Sequence, residues 1–138
     1  MELFKKAKGI MTKGNFITTG TKAKVSDITI ALISGEVSGL PVVDNEKRVV
    51  GIITEFDIIR AVKQGKDLKN VTAEDIMTKN PITVNEDTPV SDIINILETK
   101  HIIRVPVVDK DGKLVGIVSR RDILKGVTEI EGAPQIWF

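Results

Sequence analysis

The 138-residue sequence has no cysteine, no tyrosine, one tryptophan and one histidine. The absence of cysteine removes disulfides and thiol catalysis, and is compatible with a reducing compartment. The lone histidine, His101, has no cluster of Asp, Glu or His at ligand spacing beside it, so no metal site is expected. Serine catalysis needs a base, and Ser119 has only the distant His101 to call on. No phosphate loop of the Gly-x-Gly-x-x-Gly or P-loop type occurs. With no catalytic constellation, an enzyme is not expected. Charge of one sign is also missing: 20 Lys and Arg against 19 Asp and Glu leave a net charge of +1. A dedicated nucleic-acid binder usually shows a strong basic excess, so nucleic acid is not an expected partner. No apolar run approaches the ~18 residues of a membrane span. Met1-Glu2-Leu3-Phe4-Lys5-Lys6 lacks the charged-then-apolar order of a signal peptide. The expectation is a cytoplasmic protein with no membrane contact and no required cofactor.

What the sequence does contain, it contains twice. Gly51-Ile52-Ile53-Thr54-Glu55-Phe56-Asp57 returns as Gly116-Ile117-Val118-Ser119-Arg120-Arg121-Asp122, displaced by 65 residues. The same displacement carries Leu40-Pro41-Val42-Val43-Asp44 onto Val105-Pro106-Val107-Val108-Asp109, and Val25-Ser26-Asp27-Ile28 onto Val90-Ser91-Asp92-Ile93. Two copies are fewer than the roughly three that a solenoid needs. A single unit of about 60 residues buries too little surface to be secure alone. A closed pseudo-twofold pair sharing one module is therefore expected. Its division runs as repeat one with a lead-in helix over 1–64, a polar connector over 65–75, repeat two over 76–128, and a tail over 129–138.

Each copy reads strand, helix, strand, strand, helix, an α/β (α+β) pattern. The first strands are expected at Phe16-Ile17-Thr18-Thr19 and Ile82-Thr83-Val84. Ser26-Asp27 and Ser91-Asp92 offer short side-chain oxygens to the free N–H groups of a helix start. Apolar residues at helical spacing follow, ending at Gly35 in the first copy. The β-branched runs around Pro41 and Pro106 suit strands covered on both faces. Asp111-Gly112, and more weakly Asn45-Glu46-Lys47, mark the hairpin turns to return strands ending at Thr54 and Ser119. Final helices start near Phe56 and Arg121. Thr72-Ala73-Glu74-Asp75 has the spacing of a capping box for a short helix, and Met77-Thr78-Lys79 after it matches Met11-Thr12-Lys13.

These features together, the duplicated septapeptide ten residues after each Pro-Val-Val-Asp run above all, resemble a tandem pair of cystathionine-β-synthase-type (CBS) domains, a Bateman module. The resemblance covers residues 10 to 128. It implies two β-α-β-β-α repeats packed by pseudo-twofold symmetry, with two clefts that in this family often hold AMP, ADP, ATP or S-adenosylmethionine as a regulatory ligand. Asp57 and Asp122 match the family's ribose-binding aspartate, and Thr54 and Ser119 its hydroxyl partner. A carboxylate accepting from a ribose diol makes strong, charge-assisted bonds. The same residues also read as a helix N-cap followed by a first-turn carboxylate, and the two roles are compatible. Thr18 and Thr83 fall where the family's first strand lines the adenine pocket, and equally fit ordinary strand preference. Leu40-Pro41 and Val105-Pro106 match the apolar-proline step beside the base. Proline has no backbone donor, so an edge or a pocket wall is expected there.

The copies differ in charge at these positions. Arg104, Arg120 and Arg121 stand where the first copy has Gly39, Glu55 and Phe56. Arg104 matches a phosphate-contacting arginine of adenylate-binding relatives, and a guanidinium fork suits phosphate. His101 lies near a position where relatives sometimes use histidine on a phosphate. The expectation is that the second copy's cleft is the better phosphate site. For the arginines a solvated helix start is the alternative. With no output domain in the sequence, the module is expected to signal to a separate regulated protein, and to self-associate as a homodimer through its helices and the apolar Ile136-Trp137-Phe138. A ligand-free dimerisation scaffold, and a regulatory piece of a larger enzyme or transporter, are the alternatives.

Overall fold

The computed structural model describes residues 5–14 and 16–128; the apolar tail and Leu3 of the lead-in lie outside them. The elements run α1 (Ala7–Ile10), β1 (Thr19–Gly20), α2 (Val25–Gly35), β2 (Gly39–Val43), β3 (Val49–Thr54), α3 (Glu55–Lys63), α4 (Ala73–Ile76), β4 (Thr78–Lys79), β5 (Val84–Asn85), α5 (Val90–Thr99), β6 (Arg104–Val108), β7 (Leu114–Ser119) and α6 (Arg120–Thr128). Two sheets form, in the orders β1-β2-β3-β4 and β5-β6-β7. Their registers repeat each other. Pro41 faces Ile52 as Pro106 faces Ile117, and both hairpins slip by one residue after Val42 and Val107.

The first strands are shorter than expected and lie later in the chain. β1 pairs only Thr19 and Gly20 with Val42 and Val43, and β5 pairs only Val84 and Asn85 with Val107 and Val108. Thr18 and Thr83 precede the paired residues. A consequence falls on the prolines: the parallel neighbouring strand begins its pairing only after Pro41 or Pro106, so neither has a second strand to which it owes a donor.

The helix starts depart from expectation too. Ser26 and Ser91 sit one residue inside their helices, which follow Lys24 and Pro89 without a side-chain cap. Distant carbonyls do the capping. Val25 N–H donates to Val71 O and Ser26 N–H to Leu68 O, both at 2.9 Å, and Val90 N–H donates to Lys5 O at 2.7 Å. The connector and the lead-in therefore satisfy helix donors that sequence pattern assigned to serine.

Two apolar clusters form the core. One joins Val25, Ile28, Leu32, Leu40, Val42, Ile53 and Ile58 with Ala73. The other joins Val84, Ile93, Leu97, Val105, Val107 and Val118 with Ala7. Full burial of each Val, Leu or Ile is worth about 1.5–3 kcal/mol. The alanines reveal an exchange. Ala7 precedes repeat one but packs in the cluster of repeat two, and Ala73 precedes repeat two but packs with repeat one. The residues after them follow: β4 pairs antiparallel with β3, and Thr12 bridges Ile117 on β7.

The hairpin turns mark the symmetry axis. Asp44 Oδ1 accepts from Glu46 N–H and Arg48 N–H at 2.9 Å, and Asp109 Oδ1 accepts from Asp111 N–H at 2.9 Å and Lys113 N–H at 3.0 Å. The Asp of each Pro-Val-Val-Asp run thus builds its turn. Gly112 takes the left-handed conformation expected of it, and Lys47 takes it in the other copy at φ 65°. Across the axis Val49 N–H donates to Gly112 O at 3.0 Å and Leu114 N–H to Lys47 O at 3.1 Å. Arg48 and Lys113, which are repeat counterparts, bridge each other.

Candidate functional site

Each septapeptide ends a strand and opens a helix, and its hydroxyl and carboxylate close on each other there. Thr54 N–H donates to Asp57 Oδ2 at 2.9 Å, Thr54 Oγ1 to the same oxygen at 3.0 Å, and Asp57 N–H to Thr54 Oγ1 at 3.3 Å. Ser119 and Asp122 repeat the pattern at 2.8, 3.0 and 3.1 Å. These are capping boxes that satisfy donors of α3 and α6. The aspartate is the third residue of each helix, two steps later than its first turn begins.

The second carboxylate oxygen distinguishes the copies. Asp57 Oδ1 meets Arg60 Nη1 at 3.2 Å, and Asp57 is only 6% exposed. Asp122 Oδ1 instead accepts from Thr12 Oγ1 at 3.2 Å, a residue of the exchanged lead-in. Arg60 is itself largely exposed, so its hold on Asp57 is a screened one.

A cavity of about 480 Å³ opens between the repeats. Ser38, Gly39, Leu40, Pro41, Ile52, Thr54, Glu55 and Phe56 form one wall. The facing wall is built by Thr78, Asn80, Pro81 and Ile82 after the connector and by His101, Ile102, Ile103, Arg104, Pro106 and Ile117. Of the residues singled out from sequence, Thr54, Leu40, Pro41, His101, Arg104 and Pro106 meet here. Asp57 lies buried one residue behind Phe56. Val105 is wholly buried in the second core cluster. Ser119, Asp122 and Arg121 lie outside the cavity lining, as do the exposed Thr18 and Thr83; Ile82 takes the wall position next to Thr83. Arg120 lines a different groove, between α5 and α6, with Ile94, Leu97 and Leu124.

Arg104 is the placement of most consequence. Repeat periodicity puts it with Ser119, its partner across β6 and β7. Its side chain borders the cavity that contains Thr54. Burial holds its pKa below the ordinary arginine value, Asp122 works against that fall, and Arg120 adds to it. Its Nε is buried with no hydrogen-bond partner in the protein. A buried, unsatisfied donor costs about 1–3 kcal/mol unless something accepts from it. Asn80, Pro81, Ile82, Ile102 and Ile103 were not visible as site residues in the sequence. The one local sign is Asn80 itself, an asparagine that adopts φ 52° where the chain turns into the wall.

The arrangement is an apolar slot with the hydroxyl residues Ser38, Thr54 and Thr78 in its walls and one guanidinium whose Nε has no partner in the protein. It can take a flat apolar group and one anionic group. Among the described residues no group of His, Cys, Asp and Glu is placed to hold a metal ion, and no helix is long and apolar enough to cross a membrane.

Comparison with known proteins gives a consistent picture. The CBS domain model matches twice, over residues 7–64 and 73–129. An uncharacterised protein of Methanopyrus kandleri is 36% identical over 118 residues, covering 85% of this chain and 60% of its own. The inosine-5′-monophosphate dehydrogenase of Methanocaldococcus jannaschii is 34% identical over 125 residues, covering 91% of this chain but 24% of the dehydrogenase. The chain thus spans less than two thirds of the length of these relatives. Among solved structures, CBSX2 of Arabidopsis thaliana in complex with AMP superposes with a TM-score of 0.82 at 28% identity, covering 91% of this chain and 97% of that one. The CBS domain pair of MJ0100, in complex with 5′-methylthioadenosine and S-adenosyl-L-methionine, superposes with a TM-score of 0.78 at 36% identity, covering 91% and 98%. By its duplicated septapeptide, its paired sheets and these matches, the chain belongs to the CBS domain family as a tandem pair.

Proposed function

We propose that this CBS pair is a regulatory module that binds an adenosyl ligand in the cavity beside Thr54 and signals its occupancy to a partner. The observation that carries the reading is Arg104 Nε, buried without an acceptor on the wall of an apolar slot. An adenine fits between Leu40, Pro41 and Ile82, and the group at its 5′ end turns toward the guanidinium of Arg104. The ribose diol lies toward Thr54 and Asp57, where Asp57 Oδ1 can exchange the exposed Arg60 for a ribose hydroxyl. AMP in CBSX2 and the two adenosyl thioether and sulfonium ligands of MJ0100 support this choice of class. The matched part of the dehydrogenase is a minor portion of an enzyme, which supports a regulatory role over a catalytic one.

Thermal shift with AMP, ADP, ATP and S-adenosylmethionine is the direct test, because a ligand bound only by the folded state raises its stability by about 2.7 kcal/mol at a hundredfold excess over Kd. At least one is expected to shift the midpoint, and Arg104→Ala to reduce the shift while the unliganded protein stays folded. No shift with any of them at millimolar concentration overturns the reading and favours the ligand-free scaffold.

The output surface we assign to the helices. Ile30 and Ile33 on α2, Ile59 and Val62 on α3, and Leu124 and Val127 on α6 are all more than half exposed. Both repeats keep the α3 and α6 pair apolar, which suits a self-complementary homodimer. Sedimentation velocity at micromolar concentration should show a dimer that Ile33→Glu combined with Ile59→Glu converts to monomer. A native monomer rejects this assignment.

A further inference from the structure

The cavity beside Thr54 has opposite charges on opposite walls. Glu55, His101 and Arg104 are the titratable residues that line it. Glu55 opens α3 on the wall of repeat one, where its N–H donates to Ser38 O at 2.9 Å. Arg104 opens β6 on the wall of repeat two. Repeat periodicity makes each of them singular: the counterpart of Glu55 is Arg120, which lines the α5–α6 groove, and the counterpart of Arg104 is Gly39. At Gly39 a side chain would meet Ile53 O at 3.0 Å, a tight approach that asks its neighbours to give by a few tenths of an ångström, and the glycine itself brings no charge to this wall. The site is left with one guanidinium, one carboxylate and an imidazole in an apolar surround.

We infer that this cavity selects adenosyl ligands whose 5′ substituent is zwitterionic over those that end in a polyphosphate. The inference rests on the adenosyl reading of the site and adds its charge preference. An α-carboxylate can take the fork of Arg104, and an ammonium or sulfonium centre is favoured by Glu55. A triphosphate satisfies Arg104 with one of its charges and sets the rest against Glu55. Glu55 is exposed, so water screens this like-charge placement and the discrimination it gives is a modest one. S-adenosylmethionine and ATP share the adenosyl group and differ in this respect, so they separate the two cases.

Isothermal titration of the whole chain with S-adenosylmethionine and with magnesium-free ATP tests it. The native protein should bind S-adenosylmethionine at least about tenfold more tightly, a difference of about 1.4 kcal/mol. Glu55→Arg, which installs the residue repeat two carries at this position, should reverse that order. Glu55 is exposed, so the change spares the core, and Glu55→Gln, expected to narrow the ratio without reversing it, serves if the arginine variant does not fold. ATP bound as tightly as S-adenosylmethionine by the native chain, or an order insensitive to both variants, overturns the charge preference and leaves the adenosyl reading standing. A native chain that binds neither, nor AMP, overturns the adenosyl reading and this preference with it.

Discussion

Gly51 and Gly116 hold their places in the septapeptide for a reason that lies in neither septapeptide. Neither has a positive φ, so conformational freedom is not the cause. A Cβ at Gly51 would collide with Met77 Sδ and stand 2.9 Å from Met77 Cγ and 3.0 Å from Thr78 O. At Gly116 the obstacles are Met11 Sδ at 2.6 Å, Met11 Cγ at 2.9 Å and Thr12 O at 3.1 Å. Each glycine is the floor over which the other repeat's lead-in crosses. Methionine is the adaptable side chain for such a gap, and the backbone carbonyl behind it is not adaptable. Gly51→Ala should therefore cost about 1–3 kcal/mol through overpacking. Met77→Ala in the Gly51→Ala background should cost less than it does alone, since the methionine tip is part of the clash and the two residues touch. Urea melts of the four proteins of this cycle measure it. Additive costs, or a Gly51→Ala cost below about 0.5 kcal/mol, would remove the crossing as the reason for the glycine.

At the scale of elements, what could be read from the sequence was what is decided locally or at one fixed offset. The hairpins followed from β-branched runs and turn residues, and Asp44 and Asp109 prove to be the residues that make those turns. The boxes Thr54–Asp57, Ser119–Asp122 and Thr72–Asp75 all formed, because a hydroxyl and a carboxylate three residues apart satisfy each other's backbone without outside help. Ser26 and Ser91 had the composition of a cap and lost the role to the carbonyls of Val71, Leu68 and Lys5. That competition is long-range and leaves no local trace. The first strands shrank for a related reason. A strand exists only as far as its partner runs beside it, and β1 and β5 each pair through two residues. The cavity was half legible. Thr54, Leu40, Pro41 and Pro106 could be singled out because the repeat carries their positions twice, and His101 and Arg104 through the family resemblance; that Arg104 also borders the cavity beside Thr54 was not legible in either. Ile82, Ile102 and Ile103 enter the site because the repeats face each other, which no single repeat encodes.

The whole molecule is held as one unit by the exchange of lead-ins, and this has a consequence that runs against sequence order. Residues 5–12 precede repeat one, yet their partners belong to repeat two. Lys5 O accepts from Val90 N–H at the start of α5, Ala7 N–H donates to Thr88 O, and Thr12 exchanges both backbone bonds with Ile117 on β7. Ala7 is fully buried in the second cluster, with Ile10 and Met11 packed against it. Thr12 also supplies the hydrogen bond on Asp122 Oδ1. Removing residues 1–12 thus strips repeat two of a capping acceptor, a strand partner and part of its core, and leaves the first cluster, built from Val25 to Ala73, intact. Hydrogen exchange by mass spectrometry on the truncated chain should show protection lost in α5, β7 and α6 and largely kept in α2, β2 and β3. A loss centred instead on α2 and β2, the elements next in sequence to the cut, would mean that the lead-in folds with its own repeat. Uniform loss across both sheets would mean that the two clusters unfold as one cooperative body, in which case the exchange couples the repeats too tightly for either to survive the other's damage.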